Sequence, residues 1–172
     1  PAKDVYDKAS GDIAVHLDAG RDVAVLCEGD PFFYGSFMYV FERLADRYPT
    51  EVVPGVSSMM ASASAAGRPL AARNDVLSVV PGPLPDAELT KRFNAADALA
   101  IIKIGRHFRR LRALIEKMNL LPHAIYVERV SLDAERLMPL ADVPEDTAPY
   151  FSMILIYKGG EDWIQSLPGS KT

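Results

Sequence analysis

Three short motifs that combine glycine with polar residues each follow an apolar run. They are Gly29-Asp30-Pro31, Pro54-Gly55-Val56-Ser57-Ser58 and Lys103-Ile104-Gly105. In an open α/β sheet, ligands bind outside the carboxyl ends of the strands, so these corners could line one ligand site. Glycine lets backbone approach a ligand closely. Asp30 could accept hydrogen bonds from its own turn or from a ligand hydroxyl or ammonium, and a plain turn is the alternative at this tripeptide.

Three aromatic residues, Phe32, Phe33 and Tyr34, come directly after the first corner. Three consecutive aromatic side chains cannot all face one core. At least one is therefore expected to meet solvent or a ligand, with packing against a second domain as the alternative.

The candidate proton acceptors are Asp30, His107 and Glu128. A histidine just after a strand is more often a helix-start or surface residue than a catalyst. Glu128 stands next to Arg129, so an ion pair is its expected role. No catalytic residue is assigned from the sequence.

Four arginines crowd one segment: Arg106, Arg109, Arg110 and Arg112. Positive charge near the start of a helix is disfavoured by the helix dipole, so the cluster invites an anionic ligand. A solvated face is the alternative, because positions 109, 110 and 112 do not all project the same way.

The elements that would position these residues follow from apolar periodicity. It predicts helices over residues 4–19, 35–48, 57–66, 86–93 and 108–118. Short apolar runs predict strands at 23–27, 51–53, 76–80, 98–104, 124–128 and 152–157. Short strands alternating with helices indicate an α/β protein with a largely parallel sheet.

Composition narrows the classes of protein. With 49% hydrophobic residues in 172 the chain can bury a core, and a net charge of −4 gives no footprint for nucleic acid. A single cysteine, Cys27, excludes a disulfide framework and a thiolate metal site within the chain, and favours a reducing cytoplasm. No apolar run is long enough to span a bilayer, so no membrane partner is expected.

A composition shift near residues 68–75 predicts a domain boundary, with domains at 1–72 and 73–172.

Five segments together resemble the tetrapyrrole methylase family: Cys-Glu-Gly-Asp-Pro-Phe-Phe-Tyr-Gly-Ser, Val-Val-Pro-Gly-Val-Ser-Ser, Lys-Ile-Gly-Arg-His-Phe, Tyr-Val-Glu-Arg-Val and Tyr-Phe-Ser-Met-Ile-Leu-Ile-Tyr-Lys-Gly. The resemblance extends from about Asp12 to Trp163. Within the family it points to members that methylate the C-20 bridge carbon of precorrin-2, or of its cobalt form, in cobalamin biosynthesis.

The resemblance implies a homodimer of two-domain α/β chains, with a mostly parallel first sheet and a mixed second sheet. It also implies that S-adenosyl-L-methionine is held in the cleft between the domains, and that no protein-bound metal is needed. The positions that match the family's cofactor contacts are Glu28, Gly29, Asp30, Phe33, Ser57, Ser58, Ile104, Val130 and Ser152. Positions that could meet the tetrapyrrole are Tyr34, Arg106, His107 and Arg109.

The family normally opens with a strand and a glycine-rich loop, and nothing before Val23 matches them. The first domain is therefore expected to be incomplete. Other possibilities are a diphthine synthase or ribosomal-RNA methyltransferase type of the same family, and a non-catalytic domain that binds cofactor or dimerises. A generic nucleotide-binding module would need a glycine-rich phosphate loop, which the sequence lacks.

Overall fold

The computed structural model describes residues 2–144, 146–161 and 164, so Trp163, the end of the resemblance, lies outside the described residues. The chain forms two compact units, Pro1–Ser57 and Ser58–Thr172. The domain boundary expected near residues 68–75 stays a prediction.

Unit 1 contains two packed helices, α1 (Ala2–Asp18) and α2 (Phe37–Leu44). A small apolar core joins them, formed by Ala14, Val40 and Leu44 with Tyr6, Ile13, Phe37 and Tyr48 around it. Gly20, with φ of 73°, follows the end of α1. Its N–H donates to Leu17 and the N–H of Arg21 donates to His16, which satisfies two carbonyls at the helix end.

The two strands expected in unit 1 do not form, and this part of the prediction is wrong. Residues 23–27 and 51–53 have no regular secondary structure, and no sheet is found among the described residues of this unit. Side chains expected to be buried are exposed, Leu26 to 94% and Val53 to 72%. The apolar pattern is local, whereas a strand exists only when a neighbouring strand supplies the hydrogen-bond ladder.

Unit 2 is built on a five-stranded sheet in the order β1-β2-β5-β3-β4. The strands are β1 (Leu77–Pro81), β2 (Ala98–Ile102), β3 (Ala124–Glu128), β4 (Arg136–Pro139) and β5 (Ser152–Tyr157). β1 and β2 are parallel, and every other pair is antiparallel. The mixed second sheet is therefore confirmed, and β4 is an element that the sequence analysis missed.

The described residues of unit 2 include the α-helices α3 (Ser58–Ala65), α4 (Asp86–Ala95) and α5 (Phe108–Lys117). The core lies between the sheet and the helices, and Phe93, Phe108 and Tyr126 are fully buried within it. Burial of each large apolar side chain contributes about 1.5–3 kcal/mol, so this core dominates the stability of the unit.

The antiparallel course of β5 decides which residues meet at one end of the strands, and this end forms one edge of the sheet. Ser152, at its amino end, pairs with Glu128 at the carboxyl end of β3. Ile154 pairs with Ile101 near the carboxyl end of β2. The segments that follow β2 and β3 and the segment that precedes β5 therefore share one edge.

Candidate functional site

The first and second corners of the sequence are bonded to each other inside unit 1. The carboxylate of Asp30 accepts a hydrogen bond from the N–H of Gly55 at 3.0 Å and another from the N–H of Phe32 at 2.9 Å. The backbone N–H groups of Gly55 and then Phe32 hold the pKa of Asp30 below its ordinary value. Asp30 therefore holds the two corners together. Of the two roles expected for it, bonding within its own turn or to a ligand, the structure shows the first.

The corners approach so closely that only glycine fits at residue 55. A Cβ there would lie 2.1 Å from the carbonyl oxygen of Gly29 and 3.1 Å from the Cα of Asp30. Gly29 has φ of 81°, a conformation that side chains disfavour. Both glycines are therefore required by the backbone itself, and they create a surface of exposed main chain.

The other predicted residues of this corner differ in exposure. The Glu28 side chain is exposed, and Phe33 is half-buried. Phe33 makes an edge-on contact with Tyr34, with ring centroids 5.1 Å apart. Tyr34 has φ of 54° and is 48% exposed. Phe32 is exposed to a similar extent. The expectation that at least one of the three aromatic residues meets solvent is confirmed.

Ser57 and Ser58 stand at the start of α3. Ser57 is buried, and its hydroxyl has no hydrogen-bond partner among the described residues. Ser58 is exposed and is the first residue of the helix. A buried hydroxyl without a partner is costly, so the Ser57 Oγ can donate to a ligand oxygen.

In unit 2, left-handed backbone occurs beside the predicted residues Ile104 and Val130. Lys103 has φ of 57°, while Arg129 and Ser131, on either side of Val130, have φ of 50° and 64°. Such conformations are uncommon for residues other than glycine and gather at binding sites. These conformations cannot be predicted from the sequence, because Lys, Arg and Ser are not the residue types that favour this region.

Ile104 and Val130 themselves offer mainly backbone. Ile104 is fully buried in the core, so its side chain cannot meet a ligand. Its carbonyl accepts from the N–H of His107 at 2.7 Å. Val130 is half-buried in the turn after β3.

Ser152 begins β5 and is nearly buried. Its hydroxyl donates to the carbonyl of Pro149 at 2.6 Å, and its N–H donates to the carbonyl of Tyr150 at 3.0 Å. The N–H of Arg129 donates to the carbonyl of Phe151 at 2.8 Å. These bonds tie the loop before β5 to the end of β3, and Ser152 lies at the same edge as Val130.

The arginine cluster separates into two pairs. Arg110 donates to the carbonyls of Gly82 and Leu84 and forms an ion pair with Asp86. Arg112 donates to the carbonyls of Val143 and Ala141 at 2.6 and 3.0 Å. Both are therefore structural.

Arg106 and Arg109 are exposed instead. The Arg106 Nε lies 3.2 Å from the Nε2 of the half-buried His107. This arrangement confirms that Arg109, Arg110 and Arg112 do not all project the same way, and leaves Arg106 and Arg109 as candidates for an anionic ligand.

Glu128 makes ionic contacts, as its neighbour Arg129 predicts. It is buried and accepts from the hydroxyl of Tyr126 at 2.5 Å. Arg129 lies 3.2 Å from one carboxylate oxygen, and Arg136, on the neighbouring strand, lies 3.6 Å from the other. A carboxylate held in this way anchors β3 to β4.

No group of three or more His, Cys, Asp or Glu side chains within residues 2–144, 146–161 and 164 could hold a metal ion. No helix in that same part of the chain is both long and apolar enough to cross a bilayer.

A depression of about 350 Å³ follows α2, lined by Phe41 and residues 45–50, and contains none of the predicted site residues.

Comparison with known proteins identifies the family. The model of the tetrapyrrole (corrin/porphyrin) methylases matches residues 2–144. The chain is 44% identical over 153 residues to the precorrin-2 C(20)-methyltransferase of Sinorhizobium sp, covering 89% of this chain and 62% of that protein. It is 46% identical over 157 residues to the cobalamin biosynthesis protein CobIJ of Mycobacterium tuberculosis, covering 91% of this chain and 31% of that protein. The chain thus spans less than two thirds of these relatives.

Solved structures share the fold. The cobalt precorrin-4 methyltransferase CbiF has a TM-score of 0.69 at 18% identity, over 94% of this chain and 72% of that chain. Uroporphyrin-III C-methyltransferase from Thermus thermophilus, solved with S-adenosyl homocysteine, has a TM-score of 0.52 at 27% identity, over 74% of this chain and 62% of that chain. The predicted family is confirmed: this chain belongs to the tetrapyrrole (corrin/porphyrin) methylases.

Proposed function

We propose that this protein is an S-adenosyl-L-methionine-dependent methyltransferase that methylates the C-20 bridge carbon of precorrin-2, or of its cobalt form, in cobalamin biosynthesis. The observation that carries the proposal is the 44% identity, along 153 residues, to a protein named for this reaction. The likeness covers the Gly29-Asp30 and Gly55 corners and the edge at Ile104, Val130 and Ser152.

The residues of the first two corners suit the methionine part of the cofactor. Exposed backbone at Gly29 and Gly55 can approach a ligand because neither residue carries a side chain. The unpartnered hydroxyl of Ser57 can donate to the cofactor carboxylate, and the amino end of α3 at Ser58 adds a favourable dipole. Glu28 and Phe33 complete this set, and Asp30 positions the corner rather than reacting.

The residues of unit 2 suit the adenosine part. Ile104, Val130 and Ser152 lie at one edge of the sheet. The burial of Ile104 and the internal hydrogen bond of the Ser152 hydroxyl leave backbone as the part of these two residues that can contact a ligand. Backbone N–H and C=O groups in fixed positions can recognise an adenine ring edge.

The cofactor supplies an activated methyl group, and transfer breaks its bond to sulfur while a bond to carbon forms. The protein has to align the methyl group with the bridge carbon, exclude water and accept the proton that this carbon later loses. Asp30 and Glu128 are both engaged in internal hydrogen bonds, so neither is proposed as the acceptor of that proton. Tyr34, Arg106, His107 and Arg109 are the proposed contacts to the tetrapyrrole.

The proposal includes a homodimer in the cytoplasm. Family resemblance supports the dimer, and the exposed free thiol of Cys27 suits a reducing compartment. Diphthine synthase shares the fold at 15% identity, which carries no argument about substrate.

The test is methyl transfer from cofactor carrying a ¹³C-labelled methyl group to freshly prepared precorrin-2. We expect one labelled methyl, at C-20, and an equal amount of S-adenosyl-L-homocysteine. Labelling at another carbon would refute the assigned position. Binding of the cofactor with no transfer to either form of precorrin-2 would favour a non-catalytic domain.

A further inference from the structure

Two neighbouring aromatic rings project from the edge of the unit 2 sheet. Tyr150 is 85% exposed and Phe151 is 51% exposed. Their ring centroids lie 5.1 Å apart at an interplanar angle of 76°. The six residues of β5 that follow them are all buried, so the exposure is confined to this pair. Exposed aromatic side chains side by side are a common feature of binding surfaces.

The backbone of this pair is held by the sheet. The carbonyl of Phe151 accepts from the N–H of Arg129, and the carbonyl of Tyr150 accepts from the N–H of Ser152. The hydroxyl of Ser152 closes the turn by donating to Pro149. The rings are therefore presented from a fixed position, which lowers the entropy lost when a ligand packs against them.

Positive charge lies beside the pair. Residues 103–115 contain five Lys or Arg and no acidic residue. Arg106 and Arg109 of this segment are exposed. The segment adjoins the aromatic loop, because a Cβ on Gly105 would lie 3.9 Å from the carbonyl oxygen of Ala148. The exposed acids Asp133 and Glu135 lie in the turn after β3, and the exposed Asp146 lies four residues before Tyr150, so the acid-free cluster of positive charge is the segment that follows β2.

We propose that Tyr150 and Phe151 anchor the tetrapyrrole substrate by packing against its macrocycle, while Arg106 and Arg109 pair with its peripheral carboxylates. The inference rests on the proposed function and deepens it by naming the substrate's apolar contact. A large conjugated ring system with an anionic rim matches exposed aromatic faces next to guanidinium groups. Arginine also pairs with carboxylates in two parallel hydrogen bonds, which fixes the orientation of the macrocycle.

The test uses uroporphyrin III, a fluorescent polycarboxylate tetrapyrrole that is stable in air. Its Kd is measured by fluorescence titration for the wild-type protein, Tyr150→Ala and Tyr150→Phe. We expect Tyr150→Ala to raise the Kd about tenfold and Tyr150→Phe, which keeps the ring, to change it less than about twofold. The matched control is Val76→Ala, because Val76 is 55% exposed and precedes β1, at the opposite edge of the sheet.

Calorimetry with S-adenosyl-L-homocysteine on the same preparations separates this inference from the proposed function. The expected result is an unchanged cofactor Kd in every variant. If the wild-type protein bound neither ligand, both proposals would fail. If it bound both ligands and Tyr150→Ala bound uroporphyrin III as tightly, only the aromatic anchor would be refuted.

Self-association is the competing role for the pair, so the mass of each variant in solution is measured as well. A change from dimer to monomer in Tyr150→Ala, with an unchanged uroporphyrin III Kd, would overturn the proposal and identify a contact between two copies. If Tyr150→Ala lowered the Tm, Tyr150→Leu would replace it, because leucine keeps apolar bulk without a ring.

Discussion

The carboxylate of Asp30 lies 3.0 Å from the backbone nitrogen of Gly55, a residue 25 positions further along the chain. This bond joins two of the three corners that the sequence singles out, and the missing side chain of Gly55 makes the approach possible. The aspartate of the Gly-Asp-Pro motif therefore acts on geometry. It holds the main chain of both corners in position for the cofactor proposed to bind there.

The first prediction concerns this close approach. Gly55→Ala would place a Cβ 2.1 Å from the carbonyl oxygen of Gly29, so the corners must separate. We expect a loss of about 1–3 kcal/mol in the free energy of unfolding. Urea denaturation measures this loss, and calorimetry should show weaker binding of S-adenosyl-L-homocysteine.

Gly11→Ala is the matched control. Gly11 lies inside α1, and a Cβ there would meet no atom within 4 Å. This substitution should raise stability by up to about 1 kcal/mol, because alanine favours helix over glycine. Equal stability losses in the two variants would contradict the role given to Gly55.

The second prediction is a pH dependence. Hydrogen bonds from Gly55 and Phe32 hold the pKa of Asp30 below its ordinary value of 3.8. A carboxylate with a depressed pKa contributes stability that is complete above its unfolded pKa and is lost as the pH falls through the folded one. Urea denaturation between about pH 6 and pH 3 should show this loss in the wild-type protein and a smaller loss in Asp30→Asn. If the free energy of unfolding depended on pH in the same way in the two proteins, Asp30 would not contribute to the pH dependence of stability.

The third prediction separates structure from catalysis at Glu128. Glu128→Gln weakens the contacts to Tyr126, Arg129 and Arg136, so stability should fall by about 1–3 kcal/mol. The rate of methyl transfer should stay within about twofold of the wild-type rate. A general base in this position would instead cost about 10²–10⁴-fold in rate, and such a loss in the folded variant would contradict the structural role.

The fourth prediction divides the arginine cluster. Arg110→Gln removes bonds to two backbone carbonyls and an ion pair, so it should lower stability by about 1–3 kcal/mol. Arg109 lies on an exposed surface. Arg109→Gln should therefore change the free energy of unfolding by less than about 0.5 kcal/mol while raising the KM for the tetrapyrrole. Thermal unfolding and steady-state kinetics measure both effects, and a reversed pattern would show that the two roles are exchanged.

Sequence reasoning succeeded where the signal is local. The strands at 124–128 and 152–157 have the predicted bounds, since each is a continuous apolar run closed by turn residues. Helices α4 and α5 begin at the predicted residues and end within two residues of their predicted ends. The glycines of the corners could also be singled out, because their type alone implies close backbone approach.

It failed where a non-local partner decides the outcome. The run at 23–27 is apolar enough for a buried strand, yet it has no ladder partner among the described residues and is exposed. β4 is short and half-buried, and only its pairing with β3 makes it a strand. The left-handed backbone at Arg129 and the exposure of Tyr150 depend in the same way on how the sheet is assembled.

The most direct test of the central claim is a calorimetric titration of S-adenosyl-L-homocysteine into the wild-type protein, Asp30→Ala and Asp46→Ala. Asp46 is an exposed aspartate of the same unit outside the corners, so its variant controls for loss of charge. The account predicts a Kd in the micromolar range that Asp30→Ala raises about tenfold or more and Asp46→Ala leaves unchanged. Folded wild-type protein that releases no heat of binding, or an Asp30→Ala variant with the wild-type Kd, would contradict it.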